Sequence, residues 1–546
     1  MKVFNFVSQP RLQKNRFDLG HEVKLSFQPA RLIPIVLFET VPGDTFDINS
    51  EIMLRFSPMI APIMHRVNVF THYYFVPYRL LWDDFEKFIT GGEDGQEMPE
   101  FPHISYSGLT MARYLDHGSL ADYFGLPTHT AATQASVWSV GDKFNSLPFR
   151  AYQLIYNEYY RDQNLQAPVP ISKASGPEDT FSYVDLMNLR KRNWEKDYFT
   201  SALPWTQRGG DVSLPLGGSA DIVRKNQNAD VYRFSGAGNF QVSSDYAPAV
   251  GTQQTPPGTA SQGNLVLQDP NIQGRSSGIY YDPSNLEVDL STATAITINE
   301  LRKANKLQEW LERNARGGAR YIEQILSHFG VTSSDARLQR PEYLGGGKAP
   351  VRVSEIVQTA PEGANSAGAP TTPLGDLAGH GLAIGNTNRV RKYCEEHGFI
   401  IGIMSVMPRS AYMQGIPRLF RKFDKFDYYY PEFAHLGEQE VMNYELFKST
   451  SGDDGVFGYQ SRYVEYKQEH SRVHGDMKST LDFWHLGRKF STRPNLNSNF
   501  IQVEDEVFNR IFAFPDPYNV TQPLQAHIYN DVSALRSMPL FATPSL

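Results

Sequence analysis

The run GGGKA at residues 345–349 sets a lysine behind glycines, the chemistry of a loop whose amides and ammonium group cradle phosphate. The pattern is incomplete. Glu342 stands where the first glycine belongs, and Ala349 follows Lys348, so no hydroxyl is offered to magnesium. A flexible turn is the expectation, and Gly236, Ala237 and Gly238 are likewise only a fragment of a dinucleotide motif. Cys394 with His397, and His470 with His474, have spacings that put two ligands on one helix face. Zinc needs three or four ligands and neither pair has companions, so packing or hydrogen bonding is the expected role. Asp453 with Asp454, and Glu395 with Glu396, are adjacent pairs that do not read as a glycosidase acid and base. Neither G-x-S-x-G nor H-E-x-x-H occurs. No catalytic, cofactor-binding or metal-binding residue is assigned, and no cofactor is expected.

Two stretches mix cations with rings, the composition that tracks a single-stranded backbone while stacking bases. The first is N-terminal, with Arg11, Lys14, Arg16 and Phe17, and reads equally as a mobile basic arm or a plain solvated terminus. The second is PRLFRKFDKFDYYY at 417–430, with Arg418, Arg421, Lys422 and Lys425. Its Asp424 and Asp427 partly cancel that charge, and Leu419 or Phe420, Phe423 and Phe426 recur at helical spacing, so packing is expected there.

The elements that must position these residues are read from composition and pattern. A net charge of -7 and a pI near 6.1 exclude a chain that condenses nucleic acid over its whole surface, so any such contact is local. The single cysteine, Cys394, excludes an intrachain disulfide and a thiolate cluster. The N-terminus, MKVFNFVSQPRLQKNR, lacks the apolar core of a signal peptide. The longest apolar runs, 32–38 and 399–407, fall well short of the roughly 18 residues of a membrane span. The chain is expected to be soluble and unprocessed, with both runs as buried strands.

Strand-like segments fall at 23–27, 32–41, 67–76, 351–357, 399–407, 510–514 and 526–532. With 35 prolines and 42 glycines interrupting them and no repeated βαβ alternation, the pattern predicts an all-β scaffold with long excursions. In FTHYYFVPYRLLW at 70–82, alternation makes 70–76 the end of a strand covered on both faces, and Pro77 stops it. Tyr78, Leu80, Leu81 and Trp82 then leave the sheet as anchors against the body or a neighbouring subunit.

A helix is predicted in 146–164, with Ser146 as cap, Pro148 in the first turn, and Phe149, Tyr152, Ile155 or Tyr156, and Tyr159 on one face. Two more are predicted in 298–330. Ile298, Leu301, Ala304, Leu307 and Leu311 mark the first, which Gly317 and Gly318 end. Tyr321, Ile325, Leu326 and Phe329 mark the second, closed by Gly330. Residues 209–295 are rich in Gly, Ser, Asn, Gln and Pro and cannot bury a core of their own, so a surface excursion is expected, with a shorter one at 359–381. The C-terminal SALRSMPLFATPSL is apolar and proline-punctuated, and Pro539, Leu540 and Phe541 are expected to lie extended against the body or a neighbour.

Several long strings resemble the major capsid protein of the Microviridae, small icosahedral single-stranded DNA phages. They are KNRFDLGHEVKLSF (14–27), VPGDTFDI (41–48) and APIMHRVNVFTHYYFVPYRLLWDDFEKFITGG (61–92). LPFRAYQLIYNEYYRDQNL (147–165), KDYFTSALPWTQRGG (196–210), HFGVTSSDARLQRPEYLGGG (328–347), EEHGFIIGIMSVMPR (395–409), DYYYPEFAHLGEQEV (427–441) and FGYQSRYVEYKQEHSRVHGD (457–476) look like the gokushovirus branch.

The resemblance implies a mainly β chain, a single eight-stranded antiparallel jelly roll of viral capsid type over 1–546 with long loop and helical insertions. Within it lie an N-terminal arm at 1–22, a variable surface insertion at 209–295 forming a three-fold protrusion, a helical insertion at 298–330 and an extended C-terminal arm at 533–546. Sixty copies are implied in a T=1 shell around circular single-stranded DNA, with a small basic DNA-binding virion protein and with pilot and scaffolding proteins. A host-surface receptor, a glycan among the candidates, is expected to meet 209–295. Assembly is expected in the bacterial host cytoplasm, without a membrane. Arg11, Lys14 and Arg16 are the cations expected, on charge, to meet DNA at the inner surface. A jelly-roll carbohydrate-binding protein or glycoside hydrolase is the alternative, since the same fold serves lectins.

Overall fold

The computed structural model describes residues 13–128, 137–179, 182–210, 212, 298–359, 375–450, 455–513 and 522–541, with short strand pieces at 221–224, 232–234, 279–281, 286–289, 362–364 and 370–372. The chain divides into two compact units, one of Met1–Arg208 with Glu312–Leu546 and the other of Gly209–Leu311. The strand pieces described in the second unit form two small antiparallel pairs, Tyr232–Phe234 with Ile279–Tyr281 and Asp221–Arg224 with Leu286–Asp289.

Two antiparallel sheets organise the first unit. Their strands, in chain order, are β1 (Asn15–Asp18), β2 (His21–Phe27), β3 (Ile33–Thr40), β4 (Thr45–Phe56), β5 (Val67–Pro77), β6 (Glu342–Pro350), β7 (Arg352–Val357), β8 (Leu377–Asn386), β9 (Val390–Tyr393), β10 (Gly398–Pro408) and β11 (Leu524–Arg536). One sheet runs β6, β5, β10, β3. The other runs β1, β11, β4, β8, β7, with β2 also on β11 and β9 also on β4.

Side chains of both sheets share one apolar cluster, including Phe46, Ile48, Leu54, Tyr73, Ile400 and Ile528. β4 alternates buried and outward residues along its whole length, as a sheet with one solvated face requires. β5 and β10 are instead buried almost throughout. Tyr73 and Phe75 face the shared cluster, whereas Tyr74 and Val76 join a second cluster on the opposite face, which covers both sides as the alternation of 70–76 predicts. The covering layer includes α1 (Leu147–Ile155), whose Phe149, Tyr152 and Ile155 are buried.

Several sequence expectations change. Ser146 does not cap α1 with its side chain; Asn145 Oδ1 takes the Leu147 amide instead, at 2.8 Å. Residues 510–513 form no strand: a short helix, Asp505–Asn509, runs into a turn, and Phe512 makes only an isolated bridge to Met59. Residue 514 lies outside the described residues. The GGGKA run is not a turn but part of β6, paired along β5. Glycine is needed there because a Cβ on Gly346 would stand 2.1 Å from the Thr71 carbonyl oxygen. Residues 377–381, expected in a surface excursion, open β8.

The helices of 298–330 are α2 (Ile298–Gly317) and α3 (Tyr321–Phe329). Gly330, at φ +68, closes α3 by returning its amide to Leu326. Their apolar markers Ile298, Leu301, Tyr321 and Phe329 are exposed.

Candidate assembly surfaces

Pro77 ends β5, and the next residues make one tight turn, Tyr78–Leu80. Tyr78, Leu80, Leu81 and Trp82 are all buried inside their own chain. Trp82 packs on Phe88 and Phe101, and its Nε1 donates to Ser175 Oγ at 2.8 Å. The Tyr78 hydroxyl donates to Glu39 at 2.6 Å, and burial, helped by that carboxylate, pushes its pKa well up. Beneath the turn lies an ion pair between Arg150 and Glu178, each side chain 1% exposed. Arg150 also donates to the carbonyls of Leu81 and Ala174, so one guanidinium pins the turn to the covering layer. Four of the expected anchors thus spend their apolar surface within the subunit, which leaves the other three. Those three, Pro539, Leu540 and Phe541, are exposed beyond the end of β11, with Leu540 63% and Phe541 84% accessible.

Of the N-terminal cations, Lys14 and Arg16 flank Asn15, which pairs with Arg536 near the end of β11. Lys14 donates to the Gly43 carbonyl at 2.8 Å and sits over the Tyr393 ring. Arg16, on β1, donates to Ser533 Oγ at 2.8 Å across the β1–β11 pair. Arg11 lies outside the described residues.

The stretch 417–430 departs from its expected packing. It folds into two short 3-10 turns, Arg418–Arg421 and Lys425–Asp427, not a helix. Phe420, Phe423 and Leu419 point outward, because successive turns reset the helical register before it can build one buried face. No sequence pattern used above signals this.

The chemical candidates become structural. Cys394 is buried, which pushes its thiol up to about 11, and its amide and carbonyl bond Asp44 and Gly43. His470 packs among Tyr198, Phe199 and Tyr412, and burial lowers its pKa. Glu396 pairs with Arg79. Asp453 and Asp454 lie outside the described residues. Among the described residues no three His, Cys, Asp or Glu side chains converge as a metal site, and no helix is long and apolar enough to cross a membrane.

Comparison with known proteins gives these surfaces a context. The family model described as capsid protein (F protein) matches residues 6–546. Capsid protein VP1 of Chlamydia phage 1 is 34% identical over 602 aligned positions, covering 100% of this chain and 97% of that protein. Capsid protein VP1 of Bdellovibrio phage phiMH2K is 34% identical, covering 97% and 95%. Capsid protein VP1 of Spiroplasma virus 4 is 32% identical, covering 100% and 97%. Matched across almost its whole length by the family and by full-length relatives, this chain belongs to the F-type capsid proteins of the Microviridae, in the gokushovirus-like group.

Proposed function

We propose that the chain is the repeating subunit of a T=1 shell, with sixty copies enclosing a circular single-stranded DNA genome, built on an eight-stranded jelly roll. Strand order carries this reading. With β2, β3, β4, β5, β6, β8, β10 and β11 numbered one to eight, one sheet contains strands 1, 8, 3, 6 and the other 2, 7, 4, 5. That is the order produced by folding a long antiparallel ribbon over on itself, as in viral jelly rolls. The connections from β5 to β6 and from β10 to β11 hold most of the chain outside the sheets, and loops of such length serve as contact surfaces.

On this reading the arms and long loops join symmetry-related copies. Arg11, Lys14 and Arg16 face the genome, which a small basic virion protein also neutralises, and pilot and scaffolding proteins assist assembly in the host cytoplasm. The polar composition of 209–295 supports a protruding host-attachment loop. Sedimentation and electron microscopy of the purified chain test the assembly reading: small closed shells are expected, and a stable monomer that retains or cleaves glycans would favour the lectin or glycosidase alternative. Deleting 209–295 is expected to leave assembly intact and abolish adsorption. Normal adsorption by such particles would remove the attachment role.

A further inference from the structure

We infer that the ring-bearing segment 418–433, with Tyr466 beside it, is a docking surface for a second copy of this chain. The proposal rests on the shell-assembly reading for its occupant, and on exposure, area and charge for its location. Phe420 is 69% exposed and Phe423 82%, and Phe426, Tyr428, Tyr429, Tyr430 and Tyr466 are also exposed. At 150–250 Å² per ring these side chains present roughly 800 Å² to solvent. A typical monomer's largest apolar patch is about 300–600 Å², whereas one side of a standard protein interface buries about 800 Å².

The surface is held from below. Arg418 reaches Glu445 and Glu465. The Lys422 side chain is only 5% exposed, ion-paired with Glu465 at 3.4 Å and with its ammonium 3.9 Å from the Tyr466 ring centre. The Tyr463 hydroxyl and Arg462 both donate to the Phe426 carbonyl. Asp427 Oδ2 receives the amides of Phe423 and Asp424, fixing the backbone between the two turns. Tyr429 meets Tyr463 edge to face, and Phe426 and Tyr430 both pack on Phe433. The rings are therefore pre-organised, which cuts the ordering cost of binding.

Charge selects the kind of partner. A groove for single-stranded DNA turns its cations outward beside the rings. Here Arg418 and Lys422 are turned inward onto carboxylates and Arg421 lies against the Tyr444 ring, while the exposed rings are interspersed with the outward cations Lys425 and Lys467 and with the acids Asp424 and Glu432. Rings with mixed charge suit a protein surface of similar composition, and membership of a capsid family makes another copy that surface.

Because Cys394 is buried, a thiol introduced by Phe423→Cys in the full-length chain becomes a specific probe for maleimide labelling. Labelling is expected to be fast in dissociated subunits and at least tenfold slower in assembled particles, including shells emptied of DNA. Equal labelling in particles and subunits overturns the proposal, as does protection that vanishes from DNA-free shells, which would assign the surface to nucleic acid. The double variant Phe420→Ser with Phe423→Ser is expected to fold, with unchanged circular dichroism, and to yield at least tenfold fewer particles. Normal particle yield also overturns it. If the Phe423→Cys chain forms smaller oligomers in which the introduced thiol is protected, the docking surface stands and the closed-shell reading falls. Closed shells labelled freely at 423 mean the reverse, and a strictly monomeric wild-type chain sinks both.

Discussion

Residues 70–82 and 418–430 are strings of equal length with six Phe, Tyr or Trp rings each, yet one is almost wholly buried and the other largely exposed. Ring content therefore does not decide burial. The first string holds one formal charge, Arg79, and begins on a strand whose side chains point alternately to two faces; the second holds six, and four of its rings, Phe420, Phe423, Phe426 and Tyr429, recur at every third position. In a central strand with neighbours on both sides, alternation sends rings into two cores at once, and each buried ring needs only an apolar environment. In the second string every short turn brings a lysine, arginine or aspartate with it, and Arg418, Lys422 and Asp427 take the inward bonding positions while the rings are left outside.

The difference can be broken or sharpened by substitution. Arg150→Met should have the largest effect, because it leaves Glu178 buried without its cation and strips the Leu81 and Ala174 carbonyls of a donor. A loss of about 5 kcal/mol is expected in denaturant unfolding of dissociated subunits. Trp82→Ala should cost about 4 kcal/mol by the same measurement, through the cavity it leaves in the covering layer.

Acid should act next on the buried string. Burial lowers His72, which pairs with the Tyr160 hydroxyl, from 6.5 to about 4, with Arg192 adding to the shift. Between those values the unfolded chain takes up a proton that the folded chain refuses, so this contribution to stability is lost as pH falls from 6.5 towards 4. A His72→Gln variant should show a shallower fall of melting temperature across that window. An unchanged slope would mean that other groups carry it, such as His65, which burial also lowers to about 4.

The smallest effect belongs to the exposed string. Phe423→Ser should change subunit stability by less than about 0.5 kcal/mol, as surface substitutions do. A loss near that of Trp82→Ala would show that the ring packs within the subunit in solution.

Much of the scaffold was legible. β3, β5 and β10 stand out as apolar runs, because strands buried on both faces have no reason to alternate polarity. β4 is harder to read although it alternates, because Ser50 occupies an inward position in mid-strand and interrupts the apolar series. The pairing is paid for locally: Ser50 Oγ donates to Asn530 and accepts from Tyr73, bonds that exist only once three strands meet. β6 and β8 were hidden for a related reason. EYLGGGKAP and LAGHGLAIGN have little intrinsic strand preference, and their conformation comes from hydrogen bonding to β5 and β4.

The surfaces were less legible than the core. Tyr78 to Trp82 read as anchors without revealing that their partners are Glu39, Ser175 and the helix layer of the same chain. Helical spacing in 417–430 suggested a buried face, but the chain turns too often to form one.

What the sequence determined by itself was the family, carried by long distinctive strings along the chain, and the central strands, carried by apolar periodicity. Which rings lie inside and which outside, which cations are consumed by carboxylates, and how glycine-rich segments become strands were decided only by tertiary structure. Each depends on partners distant in the chain, and local sequence does not encode the distance at which two such residues meet.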